Sequence, residues 1–133
     1  MNQIAVGTSG ERRVLVTPDI AISFLGLEDA RVLSTPHMIM FMEMTSRDAV
    51  KPLLDSDHDT VGTVVNIRHL AAAPLGASVR FTSSVEAVNG NRITFRVEAW
   101  DEVEKIGEGS HERAIVNIAK FASRLALKIN RPV

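Results

Sequence analysis

The chain has 133 residues, 45% hydrophobic and 23% charged, with a formal net charge of −1. That is the length and composition of one globular domain, which argues against disorder and offers no basic stripe for nucleic acid or an anionic membrane. Cys is absent, so disulfides, thiolate metal sites and Cys nucleophiles are excluded, and a reducing cytoplasmic setting fits.

The first residues lack the basic and apolar regions of a signal peptide, and no run reaches the roughly 18 apolar residues of a membrane span. Met1 to Glu11 reads as a loosely ordered start and Arg13 to Thr17 as a short strand that Pro18 breaks. Ile20 to Leu27 is undecided between helix and strand, because short apolar runs do not fix the period. Glu28 to Leu33 reads as a linker or a turn of helix. Ser34-Thr35-Pro36 marks a helix start, with Thr35 as N-cap and Pro36 in the first helical position. The helix runs to about Val50 and contains Pro36-His37-Met38-Ile39-Met40-Phe41-Met42-Glu43-Met44, a nearly all-apolar run whose only acid is Glu43.

From Thr60 the period changes to two. Val61, Thr63, Val65, Ile67 and His69 share one face of the first strand. Pro74-Leu75-Gly76 is a turn. Val79, Phe81, Ser83 and Val85 form the inner face of the next strand, and Asn89-Gly90 is a hairpin turn. Ile93, Phe95, Val97 and Ala99 face inward after it. A last strand covers about Lys105 to Phe121, where Gly107 and Gly109 suggest a bulge or a close backbone approach. Residues 122–133 form a basic tail or a last short helix. A strand, a buried helix and four antiparallel strands make an α+β fold over residues 1–133. The sheet must wrap round the central helix to cover it, which is the hot-dog architecture. Pairing of two such sheets would close the open edges and the helix flank.

Four positions stand out chemically. A buried unpaired carboxylate is costly, so Glu43 is either satisfied structurally or used. His69 lies on the apolar strand face toward the helix, where it is either a satisfied core residue or an acid, base or hydrogen-bond donor. Thr35 has capping duty but also sits at the positive helix end. On an ideal helix Thr35 and Glu43 are about 80° apart in azimuth and roughly 12 Å apart in rise, so a substrate or a second subunit must bridge them. In Ser110-His111-Glu112-Arg113, Arg113 is either one of a solvated row of charges or a cationic donor to a polar ligand. No His or carboxylate spacing suits a metal, and no phosphate-binding Gly motif appears, so no metal site and no cofactor are expected.

Ser34-Thr35-Pro36 through Met42-Glu43, Val61-Gly62-Thr63, Arg68-His69-Leu70-Ala71-Ala72-Ala73-Pro74, Phe95-Arg96-Val97-Glu98-Ala99 and Gly109-Ser110-His111-Glu112-Arg113-Ala114 resemble the fluoroacetyl-CoA thioesterase-like branch of the hot-dog thioesterases. The likeness runs from about Arg13 to Phe121. It implies a homodimer, with higher assembly left open, whose substrate is an acyl-CoA. It assigns catalytic roles to Thr35, Glu43 and His69, a backbone N–H contact with the acyl group to Gly62, and a substrate-binding or ordering role to Arg113. Gly26 to Leu33 departs from the pattern, being shorter than the lid of the specialised enzyme and without its Phe. The implied activity is therefore acyl-CoA thioester hydrolysis without implied fluoroacetyl selectivity, and the low aromatic content, 5% with no Tyr, gives no sign of an aryl pocket, so the expected substrates carry small or medium acyl groups. The alternatives are a hot-dog hydratase or dehydratase, and a non-catalytic acyl-CoA-binding or structural dimer.

Overall fold

The computed structural model describes residues 3–132; the outermost residues of the expected loose start and tail (1, 2 and 133) lie outside them. Five antiparallel strands, β1 (Ser9–Leu15), β2 (His58–His69), β3 (Ser78–Asn89), β4 (Arg92–Trp100) and β5 (Lys105–Asn117), form one sheet in the order β1-β3-β4-β5-β2. Helix α1 (Thr35–Val50) lies across its inner face, and a second helix, α2 (Ile118–Ile129), follows β5. This is the expected hot-dog arrangement.

The core follows the period-two pattern. Val79, Phe81, Ser83 and Val85 on β3 and Ile93, Phe95, Val97 and Ala99 on β4 are all at most 1% exposed. They pack with Met38, Met42 and Val50 of α1. The polar Ser83 is tolerated because its hydroxyl and that of Ser46 hydrogen-bond at 2.7 Å. Gly107 on β5 lets the helix come close: a Cβ there would stand 2.6 Å from Met38 Sδ. Gly109 does the same between strands, since its Cβ would lie 2.1 Å from the Asn66 carbonyl oxygen. Close approach is thus the outcome at both glycines.

Four expectations need correction. Much of the supposedly loose start is ordered: Ile4 is in the core, Gly7 and Thr8 exchange backbone bonds with Val85, and β1 begins at Ser9. Its charged residues, Glu11, Arg12 and Arg13, suit an edge strand and hid it from a search for apolar alternation. The helix cap is Ser34, not Thr35: the Ser34 hydroxyl accepts from the His37 N–H, and Thr35 is the first helical residue. The register of β2 shifts at Thr63, so Gly62 pairs with Arg113 but Val65 pairs with His111. One extra residue reverses parity. Gly62 therefore shares the inner face with Val65, Ile67 and His69, and Val61 and Thr63 do not belong to that set. Finally, β5 stops at Asn117, whose side chain accepts from the Lys120 N–H and caps α2.

Helix α1 is not enclosed on all sides within one chain. Met38, Met42, Thr45 and Ser46 face the sheet, whereas Met40 is 40% exposed and Glu43 and Met44 are half-buried. A single sheet covers only one flank of a helix, and the Met40-Glu43-Met44 flank lies open.

Candidate active site

The residues of interest form two clusters. The first joins the start of α1 to the end of β2. With Ser34 acting as the cap, the Thr35 hydroxyl is free of that duty and lies 2.7 Å from His69 Nδ1. Thr35 either donates to an unprotonated Nδ1 or accepts from Nδ1–H. The other ring nitrogen, Nε2, is buried and has no hydrogen-bond partner in the structure. Burial lowers the His69 pKa from its ordinary 6.5, opposed in part by the Ala71 backbone. A cleft of about 480 Å³ opens beside the pair, lined also by Val32, Leu33, Leu70 and Phe24. Phe24 is 81% exposed. It lies just upstream of Gly26 to Leu33, the stretch that contains no Phe.

The second cluster lies at the β2 bulge. The Glu43 carboxylate is 3.6 Å from the Arg113 guanidinium and so close to Gly62 that a Cβ there would stand 2.7 Å from Glu43 Oε2. Arg113 is 6% exposed. Its Nε–H donates to Thr60 Oγ1 at 2.7 Å, and its other N–H groups reach the Thr60 carbonyl at 2.8 Å and His111 Nε2 at 3.2 Å. These bonds fix the guanidinium in place beside the carboxylate. Burial lowers the Arg113 pKa, with Glu43 first among the charges opposing the shift.

His111 is the member that sequence reasoning passed over. It is 1% exposed and stacks on Phe95, and its Nδ1–H donates to the Val64 carbonyl at 2.7 Å. That bond assigns the proton to Nδ1 and leaves Nε2 to accept from Arg113. Burial lowers its pKa as well. The spacing of His111 and Arg113, two residues apart on one strand face, was the available signal.

The structure therefore joins Thr35 with His69, and Glu43 with Gly62 and Arg113. It does not join Glu43 with His69, although His69 lies on the strand face toward the helix. The two clusters open into separate depressions, the second about 230 Å³ and lined by Met40, Glu43, Met44, Arg47 and Arg113. Asp55, Asp57 and His58 also bring three possible metal donors within 4.8 Å of one another, a grouping the sequence reading did not find. His58 and Asp57 hydrogen-bond each other there at 2.8 Å.

The chain matches the family of fluoroacetyl-CoA-specific thioesterases over residues 16–119. It is 36% identical to the fluoroacetyl-CoA thioesterase of Streptantibioticus cattleyicolor over 101 residues, 76% of this chain and 73% of that protein. It superimposes on the solved structure of a fluoroacetyl-CoA thioesterase with a TM-score of 0.85 at 30% identity, covering 98% of this chain and all of that one (100%). A thioesterase superfamily member from Thermus thermophilus aligns with a TM-score of 0.84 at 31% identity, over 95% of this chain and 93% of that one.

Proposed function

This chain belongs to the fluoroacetyl-CoA-specific thioesterase family, a family of thioester hydrolases, and on that premise we propose that it hydrolyses small or medium acyl-CoA thioesters at a site completed by a second copy. The observation that carries the two-copy reading is the split between the Thr35–His69 and Glu43–Gly62–Arg113 clusters. Along β2 of one chain, Gly62 and His69 are roughly 20 Å apart. The outer edge of β2 is unpaired in the sheet, and Val64 and Val65 on it are 41% and 46% exposed. Antiparallel pairing of this edge with a second β2 brings His69 of one copy within roughly 10–15 Å of Gly62 of the other, close enough for one thioester to meet both clusters. The same pairing covers the open Met40-Glu43-Met44 flank.

In the reaction, water adds across the acyl carbon and the C–S bond breaks, giving a carboxylic acid and the CoA thiol. Glu43 takes the proton of the attacking water, or attacks the acyl carbon itself to form an anhydride that water then opens. Arg113 holds the carboxylate in position. The Gly62 N–H receives the developing oxyanion. The Thr35 hydroxyl positions the acyl group or the water, and His69 supplies a proton to the departing thiolate.

A thiol-release assay over acyl-CoAs of increasing chain length tests the assignment. Turnover is expected on short and medium chains, and Glu43→Gln is expected to lower kcat by about 10²- to 10⁴-fold with the fold intact. No turnover on any thioester, or unchanged turnover in the variant, overturns it. Single turnover in ¹⁸O-water bears on the two roles of Glu43. Label in the Glu43 carboxylate establishes the anhydride, opened by water at the Glu43 carbonyl, whereas label in the product alone fits activated water or an anhydride opened at the acyl carbon.

A further inference from the structure

Helix α2 is apolar along one side, with Ile118, Phe121, Ala122, Leu125 and Ile129 at helical spacing, and yet no residue of it is buried. Ile118, Leu125 and Ile129 are 47%, 45% and 79% exposed. Lys120, Arg124 and Lys128 recur every fourth residue, drifting from the face opposite the stripe at Lys120 to its edge at Lys128. The helix starts at the beginning of β2: the Ile118 N–H donates to the Asp57 carbonyl at 2.9 Å. The opposite end of β2, at His69 and Leu70, lines the cleft that holds Thr35. The cleft mouth carries a second exposed apolar stretch, Phe24, Leu25 and Leu27 at 81%, 56% and 68%, followed directly by the acids Glu28 and Asp29.

Antiparallel pairing of two β2 edges sets the start of each strand beside the end of its partner. It therefore carries α2 of one copy to the cleft mouth of the other. There the two surfaces match in kind: an apolar stripe with cations along one edge meets an apolar loop followed by two acids, of which the exposed Glu28 lies 3.7 Å from Arg31. We infer that α2 docks on residues 24–29 of a second copy and forms the outer wall of that copy's acyl-CoA cleft. The inference rests on the two-copy reading of the site and adds to it the element that closes the cleft. It also explains a helix that would otherwise expose its apolar face to water beside a functional opening.

The absence of Cys makes the test clean. Leu27→Cys and Leu125→Cys, both at exposed positions, are prepared separately, one with a size tag, then mixed, allowed to exchange and treated with a short bismaleimide. A covalent heterodimer is expected from the mixture, with either variant alone giving little cross-linked product. Arg124→Glu with Lys128→Glu in the Leu125→Cys chain should lower the yield several-fold, and Glu28→Lys with Asp29→Lys in the other chain should restore it. A sample that light scattering shows to be dimeric but that gives no heterodimer overturns the docking while leaving the two-copy site standing. A monomeric sample overturns both. Flotation of the protein with anionic vesicles in place of cross-linking would assign the stripe to a lipid surface and also overturn the docking.

Discussion

Two histidines mark the two clusters, and burial dominates both. His69 and His111 each have a pKa lowered from the ordinary 6.5, with burial the largest cause. Between pH 6.5 and the lowered values the unfolded chain binds more protons than the folded one, so stability rises with pH through that window. Stability is accordingly full above about pH 6.5 and is lost as the pH falls toward the folded values. The melting temperature, followed from about pH 7.5 to about pH 5, should decline below the ordinary histidine value, and His111→Gln should reduce the slope. A wild-type profile flat across the window would contradict the assignment. The same residue scale shows what the sequence left illegible. Thr35 looked committed to the helix cap, and only the one-residue displacement of that cap to Ser34 releases its hydroxyl for His69. Arg113 lines the depression beside Glu43, but its hydrogen bonds to Thr60 and His111 were not legible in the sequence.

At the scale of elements, the glycines of β2 and β5 separate folding from chemistry. Gly109 has backbone for neighbours: a Cβ there would come 2.1 Å from the Asn66 carbonyl oxygen and 2.9 Å from Ile67 Cα. Gly109→Ala must therefore open the β2–β5 ladder, and should cost about 2–4 kcal/mol in urea unfolding. At Gly62 the nearest atom is the end of the half-exposed Glu43 side chain, which can swing away, but the next is Cε1 of the buried His111 ring at 3.2 Å. Gly62→Ala should cost about 1 kcal/mol, less than Gly109→Ala, and lower kcat on the order of a hundredfold, because the carboxylate is displaced. Equal losses of stability in the two variants would contradict this division. The alternating strands β3 and β4 were legible because period two reports burial directly. The β2 bulge was not, since an unpaired extra residue leaves no mark on composition and reverses parity beyond it. Strand β1 was obscured by the charges that protect a sheet edge, and α2 by reading Ile118 to Phe121 as a continuation of β5.

At the scale of the molecule, one chain has the fold but not a continuous site. The β2 edge, the Met40-Glu43-Met44 flank of α1 and the stripe on α2 are all open. Complementation between two inactive variants measures directly whether two copies share one site. Glu43→Ala and His69→Ala should each be nearly inactive alone. If the Thr35–His69 cluster of one copy works with Glu43 of the other, a mixed dimer holds one intact site and one doubly damaged site. An equal mixture after subunit exchange, assayed by thiol release from a short acyl-CoA, should then recover about a quarter of wild-type activity. No recovery, in a mixture shown to contain mixed dimers, would contradict a site built from two copies.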